Sequence, residues 1–229
     1  MKTVALIPAR SGSKRIKDKN IKLLAGIPLL AHSVLTAKQA NLEVFVSTDS
    51  ASYAAIAREW GAQTVYRPER LCTDTSTDFD VLSHFIQEVT CDLIVYLRPT
   101  TPFRSTPVVT GAVKLMQVPG FDSLRSVELM SESAYKCFRI KFGLLRPLTK
   151  KDLTDLPNQA VPATYHPNGY VDIVRASNCS LGPIWGLGRY AYQTKRVPEL
   201  DTEDDWEYAE WYAQKRRKWS IGKADNSVW

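Results

Sequence analysis

Two stretches carry residue types that could do chemistry on a phosphate. The first runs from Arg10 to Lys22 and holds six bases, Arg10, Lys14, Arg15, Lys17, Lys19 and Lys22, against a single acid, Asp18. Gly12 permits close backbone approach, Ser11 and Ser13 leave neighbouring N–H groups accessible, and the cations can neutralise phosphate oxygens. The sequence contains neither GxxxxGK[ST] nor GxGxxG here, so the loop is not one of the common phosphate-binding fingerprints. A solvated basic loop is the plainer alternative. The second stretch, Glu199-Leu200-Asp201-Thr202-Glu203-Asp204-Asp205, is acidic. Glu199 and Asp201, two apart before a helix, offer hard oxygens suited to Mg²⁺. Acids at a helix start are also favoured by the helix dipole without any metal. His166 has the side chain of a general base, but a lone histidine is as readily structural.

These residues need elements to position them. Val4–Ile7 is an apolar run of buried-strand type, ended by Pro8, and the basic loop follows directly. Helical spacing over Pro28–Ala37 is followed by a strand at Glu43–Ser47 and a helix at Ala51–Trp60, capped by Ser50 and stopped by Gly61. A strand at Thr64–Tyr66, a helix at Phe79–Val89, a strand at Asp92–Leu97 and a helix at Pro107–Met116 continue the alternation. Repeated βα units predict an α/β fold, a three-layer α/β/α sandwich with a mostly parallel nucleotide-binding sheet. Ligands in such sheets sit beyond the carboxyl ends of the strands, which gathers the loops at Arg10–Lys19, Asp49, Arg67 and Arg98. The second half is less regular. A strand is expected at Asp122–Val127, then an irregular excursion over 131–165 that reads as a hairpin or an arm leaving the domain, a turn plus strand at Tyr165–Ile173, a strand at Tyr190–Val197, and a last helix to about Arg217 with a Thr202/Asp205 capping box. A single domain over 1–229 with a mobile tail at 221–229 is expected.

Composition sets the outer bounds. The chain has 229 residues, 44% hydrophobic and 24% charged, enough for a sizeable core and unlike a disordered chain. The net charge of +6 favours anionic partners. Because the bases cluster in one loop, a small phosphorylated ligand fits better than nucleic acid, for which a spread basic face with exposed aromatics is expected. The four cysteines, Cys72, Cys91, Cys137 and Cys179, are widely spaced with no CxxC, which reads as free thiols in a reducing compartment. No signal peptide or apolar run near 18 residues is visible. A cytoplasmic protein with no membrane partner is expected.

Several short motifs, in order along most of the chain, resemble those of the acylneuraminate cytidylyltransferases, the CMP-sialic acid synthetases and their relatives. Ile7-Pro8-Ala9-Arg10-Ser11-Gly12-Ser13-Lys14-Arg15 with Lys19-Asn20 is similar to the family's N-terminal signature. Ser47-Thr48-Asp49 resembles its STD. Arg67-Pro68-Glu69 with Leu71 resembles RP-x-x-L, and Leu97–Arg104 resembles LQPTSPLR. Pro167-Asn168-Gly169 matches a PNG turn, and Glu199-Leu200-Asp201-Thr202-Glu203 resembles D-x-D-T-E.

The resemblance implies an enzyme that couples CTP to the anomeric 2-hydroxyl of a 3-deoxy-2-ulosonic acid and releases pyrophosphate. It implies that Arg10, Lys14, Lys19 and Asn20 hold the triphosphate, with Ser11, Gly12 and Asp49 in the nucleotide site. Arg67 and the 73–78 loop, Asp78 included, border the cytosine, and Asp201 with Glu199 holds Mg²⁺. Arg98, Thr100, Lys136, His166, Asn168 and Asp172 fall on the sugar side. There the sequence departs from the sialic acid pattern: Arg98 replaces Gln, His166 an Arg, and Asp172 a Tyr. A related but different acid, sialic acid-like or Kdo-like, is therefore expected. Arg98 would meet its carboxylate and Asp172 its hydroxyl or amine, unless both merely form ion pairs. A homodimer exchanging the 131–165 arm is also implied. Another sugar or alcohol nucleotidyltransferase using CTP or UTP is the alternative.

Overall fold

Alternating burial on both faces is what makes the first strand central. In the computed structural model, which describes residues 1–220, the side chains of residues 181 and 217–220 excepted, β1 (Thr3–Pro8) has Val4, Ala5, Leu6 and Ile7 fully buried. Ala5 and Ile7 face one layer and Val4 and Leu6 the other. Such a strand can form only between two covering layers.

The chain supplies those layers in order. After β1 come a small hairpin, β2 (Leu23–Leu24) and β3 (Ile27–Pro28), then α1 (Leu29–Gln39), β4 (Glu43–Thr48), α2 (Ala51–Glu59) and β5 (Gln63–Tyr66). Then follow α3 (Asp78–Glu88), β6 (Leu93–Tyr96), α4 (Thr106–Gln117), β7 (Ser123–Leu129) and a hairpin of β8 (Phe138–Lys141) and β9 (Leu144–Pro147). The last elements are β10 (Tyr165–Arg175), α5 (Asn178–Leu181), β11 (Arg189–Gln193) and α6 (Glu203–Ser220). The main sheet has the order β11-β7-β10-β6-β1-β4-β5. Every neighbouring pair is parallel except those of β10, which runs against both β6 and β7. Helices α1, α2 and α4 pack on one face through Val34, Ala57 and Met116. Helix α3 covers the other through Val81, Leu82 and Phe85, joined by Cys179 of α5. This is the expected mostly parallel α/β/α sandwich.

Local chemistry explains the helix starts. The Ser50 side chain accepts from the Tyr53 N–H at the head of α2. Thr77 and Asp80 form a capping box on α3, and Thr202 and Asp205 form the expected one on α6. All four cysteines are free thiols, and no described helix is long and apolar enough to cross a membrane.

The 131–165 excursion contains one of the forms expected for it, a hairpin, with β8 paired with β9 from Phe138↔Pro147 to Lys141↔Leu144. Two other expectations need correction. Pro167-Asn168-Gly169 does not form a turn ahead of a strand. It lies inside β10 as an irregularity between Pro167 and Asp172, with Gly169 at φ +61°. An eleven-residue strand can hold this because Asn168 ties the bulge down, donating to Thr194 Oγ1 at 2.8 Å. Strand β11 ends at Gln193, short of the expected Val197, and the chain then crosses to α6 without regular structure. The expected mobile tail at 221–229 lies outside the described residues.

One buried cation holds the edge of the sheet where ligands are expected. Arg104 is 1% exposed. Its guanidinium donates to the carbonyls of Tyr170, Thr101, Arg98 (2.7 Å) and Gly169 (3.0 Å), and to Ser33 Oγ of α1 (3.0 Å). Burial lowers its pKa to about 9, which leaves it charged at neutral pH. Arg104→Met would strand several buried carbonyls and cost roughly 3 kcal/mol or more of stability. Urea unfolding should show this as a lower midpoint, and an unchanged midpoint would contradict the assigned role.

Candidate active site

The basic loop leaves β1 at Pro8 and is pinned at once. The Ala9 N–H donates to the Ser47 carbonyl of β4 at 2.9 Å. The Ser11 N–H and hydroxyl both donate to Asp49, at 2.7 and 2.6 Å. Partial burial works to raise the Asp49 pKa, but these Ser11 hydrogen bonds hold it below the ordinary value. Asp49, expected as a nucleotide contact, is thus spent on holding the loop. Gly12, at φ +69°, follows in a left-handed conformation that other residues adopt only with strain. Buried Asn20 donates from Nδ2 to the Arg10 carbonyl at 2.9 Å. Ser11, Gly12 and Asp49 shape the loop from beneath and do not line the cavity above it.

That cavity, of about 340 Å³, opens at the carboxyl ends of β1, β5 and β6. Arg10, Ser13, Lys19 and Asn20 line one side, and Arg67, Thr73, Asp74, Thr77 and Asp78 the other, with Tyr96, Arg98 and Thr100 behind. Arg67 is 2% exposed and donates from Nε to Cys72 Sγ at 3.0 Å. A connected space of about 370 Å³ lies beside it, lined by Arg10, Lys14, Arg15, Lys19, Asp74 and Asp201. The expected triphosphate cations Arg10, Lys14 and Lys19 therefore share one space.

The acid stretch reaches this space from the opposite side. The Leu200 N–H donates to the Thr100 carbonyl at 2.8 Å, and the Leu200 side chain is buried against Ile16 and Phe103. Lys19 Nζ then bonds both the Leu200 carbonyl and Asp201 Oδ1 at 3.0 Å. Glu199 is exposed as a residue, but its carboxyl end lies under the Gly169 bulge, where a Cβ would stand 3.9 Å from Oε1. Loss of water there, then the neighbouring Asp201 charge, raises its pKa. A carboxylate pair of this kind, strained by mutual repulsion and made of hard oxygens, would suit a hard cation such as Mg²⁺. Among the described residues no group of three or more His, Cys, Asp or Glu is arranged to hold a metal, so these two acids alone are the candidate ligands.

A second cavity, about 620 Å³, lies beyond the acid pair. Glu128, His166, Asn168, Arg196, Glu199, Asp201, Tyr208 and Tyr212 line it. Arg98 stands at the back of the first cavity. It donates to Asp172 at 2.5 Å and Asp78 at 2.6 Å, and lies 4.8 Å over the Tyr96 ring. Burial opposes its charge, but Asp172, Tyr96 and Asp78 outweigh that and raise its pKa. Arg98, expected to receive a substrate carboxylate, already has both arms of its fork occupied, and Asp172 is 0% exposed beneath it. Lys136 is not brought to either cavity. It sits on the arm, donating to Asn158 Oδ1 at 3.0 Å.

The fold around this site has known counterparts. A family model described as cytidylyltransferase matches residues 4–138. The CMP-N,N'-diacetyllegionaminic acid synthase of Legionella pneumophila is 36% identical over 228 residues, covering 92% of this chain and 95% of that protein. The chain belongs to the cytidylyltransferase family. The N-acylneuraminate cytidylyltransferase of Escherichia coli O18:K1:H7 is 33% identical over 98% of this chain. The chain spans only 55% of that longer relative. In structure, a CMP:2-keto-3-deoxy-manno-octonic acid synthetase complexed with CTP superposes with a TM-score of 0.74 at 18% identity, over 94% of this chain and 100% of the other. That likeness is one of fold.

Two members of this cytidylyltransferase's site escaped the sequence reading. Asp74 enters the sequence reading only within the 73–78 loop that borders the cytosine, and nothing in its spacing marks it as the partner of Arg10 and Lys14. Tyr96, read as a strand residue, donates its hydroxyl to Asp78 at 3.1 Å. Its position at the carboxyl end of a parallel strand was the available signal.

The raised Glu199 pKa has a signed consequence. Between the ordinary glutamate value and the raised one, the folded state holds more protons than the unfolded, so stability falls as pH rises through that window. Above the raised value the cost is fully present. Glu199→Gln should therefore raise the melting temperature of the metal-free protein by about a degree or two at pH 7 and leave it unchanged at pH 4. Thermal melts at the two pH values check this. A lower melting temperature at pH 7 would contradict it.

Proposed function

We propose that this cytidylyltransferase transfers CMP from CTP to the anomeric 2-hydroxyl of a sialic acid-like or Kdo-like 3-deoxy-2-ulosonic acid, releasing pyrophosphate. The observation that carries the reading is the meeting of Lys19 with Leu200 and Asp201. It joins the basic loop to the acid pair at the border of two cavities, one suited to a nucleotide and one to a polar acid. The legionaminate and N-acylneuraminate activities named for the relatives above support the substrate class.

In this reading the cytosine and ribose lie between Arg67 and the 73–78 loop. The triphosphate runs toward Arg10, Lys14 and Lys19. The sugar acid occupies the second cavity, against His166 and Asn168, with its 2-hydroxyl directed at the α-phosphorus. The hydroxyl oxygen forms the new P–O bond in line with the departing pyrophosphate. Arg10, Lys14 and Lys19 stabilise the negative charge that builds on that leaving group. Glu199 and Asp201 would hold Mg²⁺, which when bound supplies neutralisation of the phosphate charge. Arg98 acts as a strut, keeping Asp172 of β10 and Asp78 of α3 at fixed separation so that sugar and nucleotide meet in register.

The arm supports a homodimer as part of the proposal. Phe142 is 92% exposed and Ile140 76%, and together with Leu144 and Leu145 they form an apolar hairpin that a second copy would cover. A CTP-consuming biosynthetic step also supports a cytoplasmic location as part of the proposal.

The test is pyrophosphate release from CTP and Mg²⁺ with N-acetylneuraminate, legionaminate, pseudaminate and Kdo offered separately. Turnover with one acid, falling about 100-fold or more in Lys14→Ala and in Asp201→Ala, is expected. CTP binding without turnover on any acid would overturn the substrate class. Failure to bind CTP would overturn the nucleotide site.

A further inference from the structure

Asp74 lies on the 73–78 loop, yet its carboxylate sits where a phosphate would. Its Oδ1 accepts from Arg10 Nη2 at 2.7 Å, and its Oδ2 pairs with Lys14 Nζ. Asp74 comes from the loop ahead of α3, and the two cations from the loop after β1. All three face the shared space between the cavities. The Lys14 side chain is 79% exposed, and its ammonium pairs with this carboxylate. The Asp74 loop is itself fastened: Arg10 Nη1 donates to the Cys72 carbonyl at 3.2 Å, and the Thr73 N–H to Ser76 Oγ at 3.0 Å. Across the space Lys19 is held in the same manner by Asp201.

A carboxylate presents two acceptor oxygens to a guanidinium and an ammonium much as a phosphate edge does. The same donors cannot serve both. The geometry points to Asp74 as the residue that sets polyphosphate affinity, a carboxylate that holds Arg10 and Lys14 in place until phosphate oxygens displace it. This rests on the proposed use of the space by the CTP triphosphate. Binding then exchanges ion pairs and does not simply add them, and pyrophosphate leaves as Asp74 returns to the two cations. Lys14 and Arg10 hold the Asp74 carboxyl below the ordinary pKa, so it is an anion throughout the neutral range and competes at full charge.

The test is calorimetric titration of CTP and of inorganic pyrophosphate into the wild-type chain, Asp74→Asn, Asp74→Ala and Glu69→Gln. Glu69 is an exposed acid on the same segment, so its variant removes equal charge without touching the cations. Both Asp74 variants should bind both ligands roughly three- to tenfold tighter, the scale of one or two exposed ion pairs, with Glu69→Gln within about twofold of wild type. Unchanged or weaker binding in the Asp74 variants, with wild type binding CTP normally, would overturn displacement and make Asp74 a positioning residue. Equal tightening in Glu69→Gln would overturn it in favour of a general charge effect. No CTP binding by any of the four proteins would instead remove the nucleotide site on which the inference stands.

Discussion

Like charges brought to one edge of a sheet repel, and that repulsion is the constraint on which the rest of the site depends. The loop after β1 concentrates six bases over thirteen positions. Left alone they would splay into water, where each is best solvated. Three carboxylates from distant elements hold four of them. Asp74 meets Arg10 and Lys14, Asp201 meets Lys19, and Glu203 meets Lys22, whose ammonium also lies 4.5 Å over the Trp206 ring. Each contact pulls a different part of the chain toward the same edge. The cavity is thus the residue of a charge-matching problem: bases crowd in, acids come to meet them, and a space bounded by both signs remains.

A second layer of restraint lies under that surface and is built from guanidinium groups. Arg98 spans Asp78 and Asp172, linking the head of α3 to the middle of β10. Arg104 gathers carbonyls from the 98–104 loop and the Gly169 bulge and reaches Ser33 of α1. The planar, five-donor fork suits this work, because one side chain can fix several segments at once. A Cβ on Gly169 would come within 3.3 Å of Thr101 Oγ1, so the bulge and the loop are packed with little slack.

Much of this was legible in the sequence, and the reason is period. Val4–Ile7 and Leu93–Tyr96 are apolar without interruption because both faces are covered, and such runs are hard to read as anything but central strands. Capping residues Ser50 and Thr202 marked helix starts to within a residue or two, and the Thr77/Asp80 box on α3 became visible only in the structure. The basic loop and the 199–205 acids were visible as charge. What stayed hidden depends on distance in space with no local signature. The pairing of Arg98 with Asp78 and Asp172 joins residues 20 and 74 positions apart, and Asp74 looks like any polar loop residue until Arg10 is seen beside it. The PNG segment was misread because Pro and Gly signal a turn. Here the flanking pairing to β7 keeps the strand going through them. The placement of Lys136 on the arm likewise follows from the β8–β9 hairpin, whose periodicity is too short to register.

Strand β10 runs against all its neighbours in the main sheet. It therefore enters the sheet at the ligand edge and leaves at the far one, the reverse of β1, β4 and β6. The nucleotide side is assembled from outgoing ends of parallel strands in the first half of the chain. The second cavity hangs on one incoming strand, its bulge, and the approach to α6. The two cavities are thus built from strands of opposite direction, and exchanges in the 131–175 region can reshape the second without disturbing an outgoing strand that borders the first.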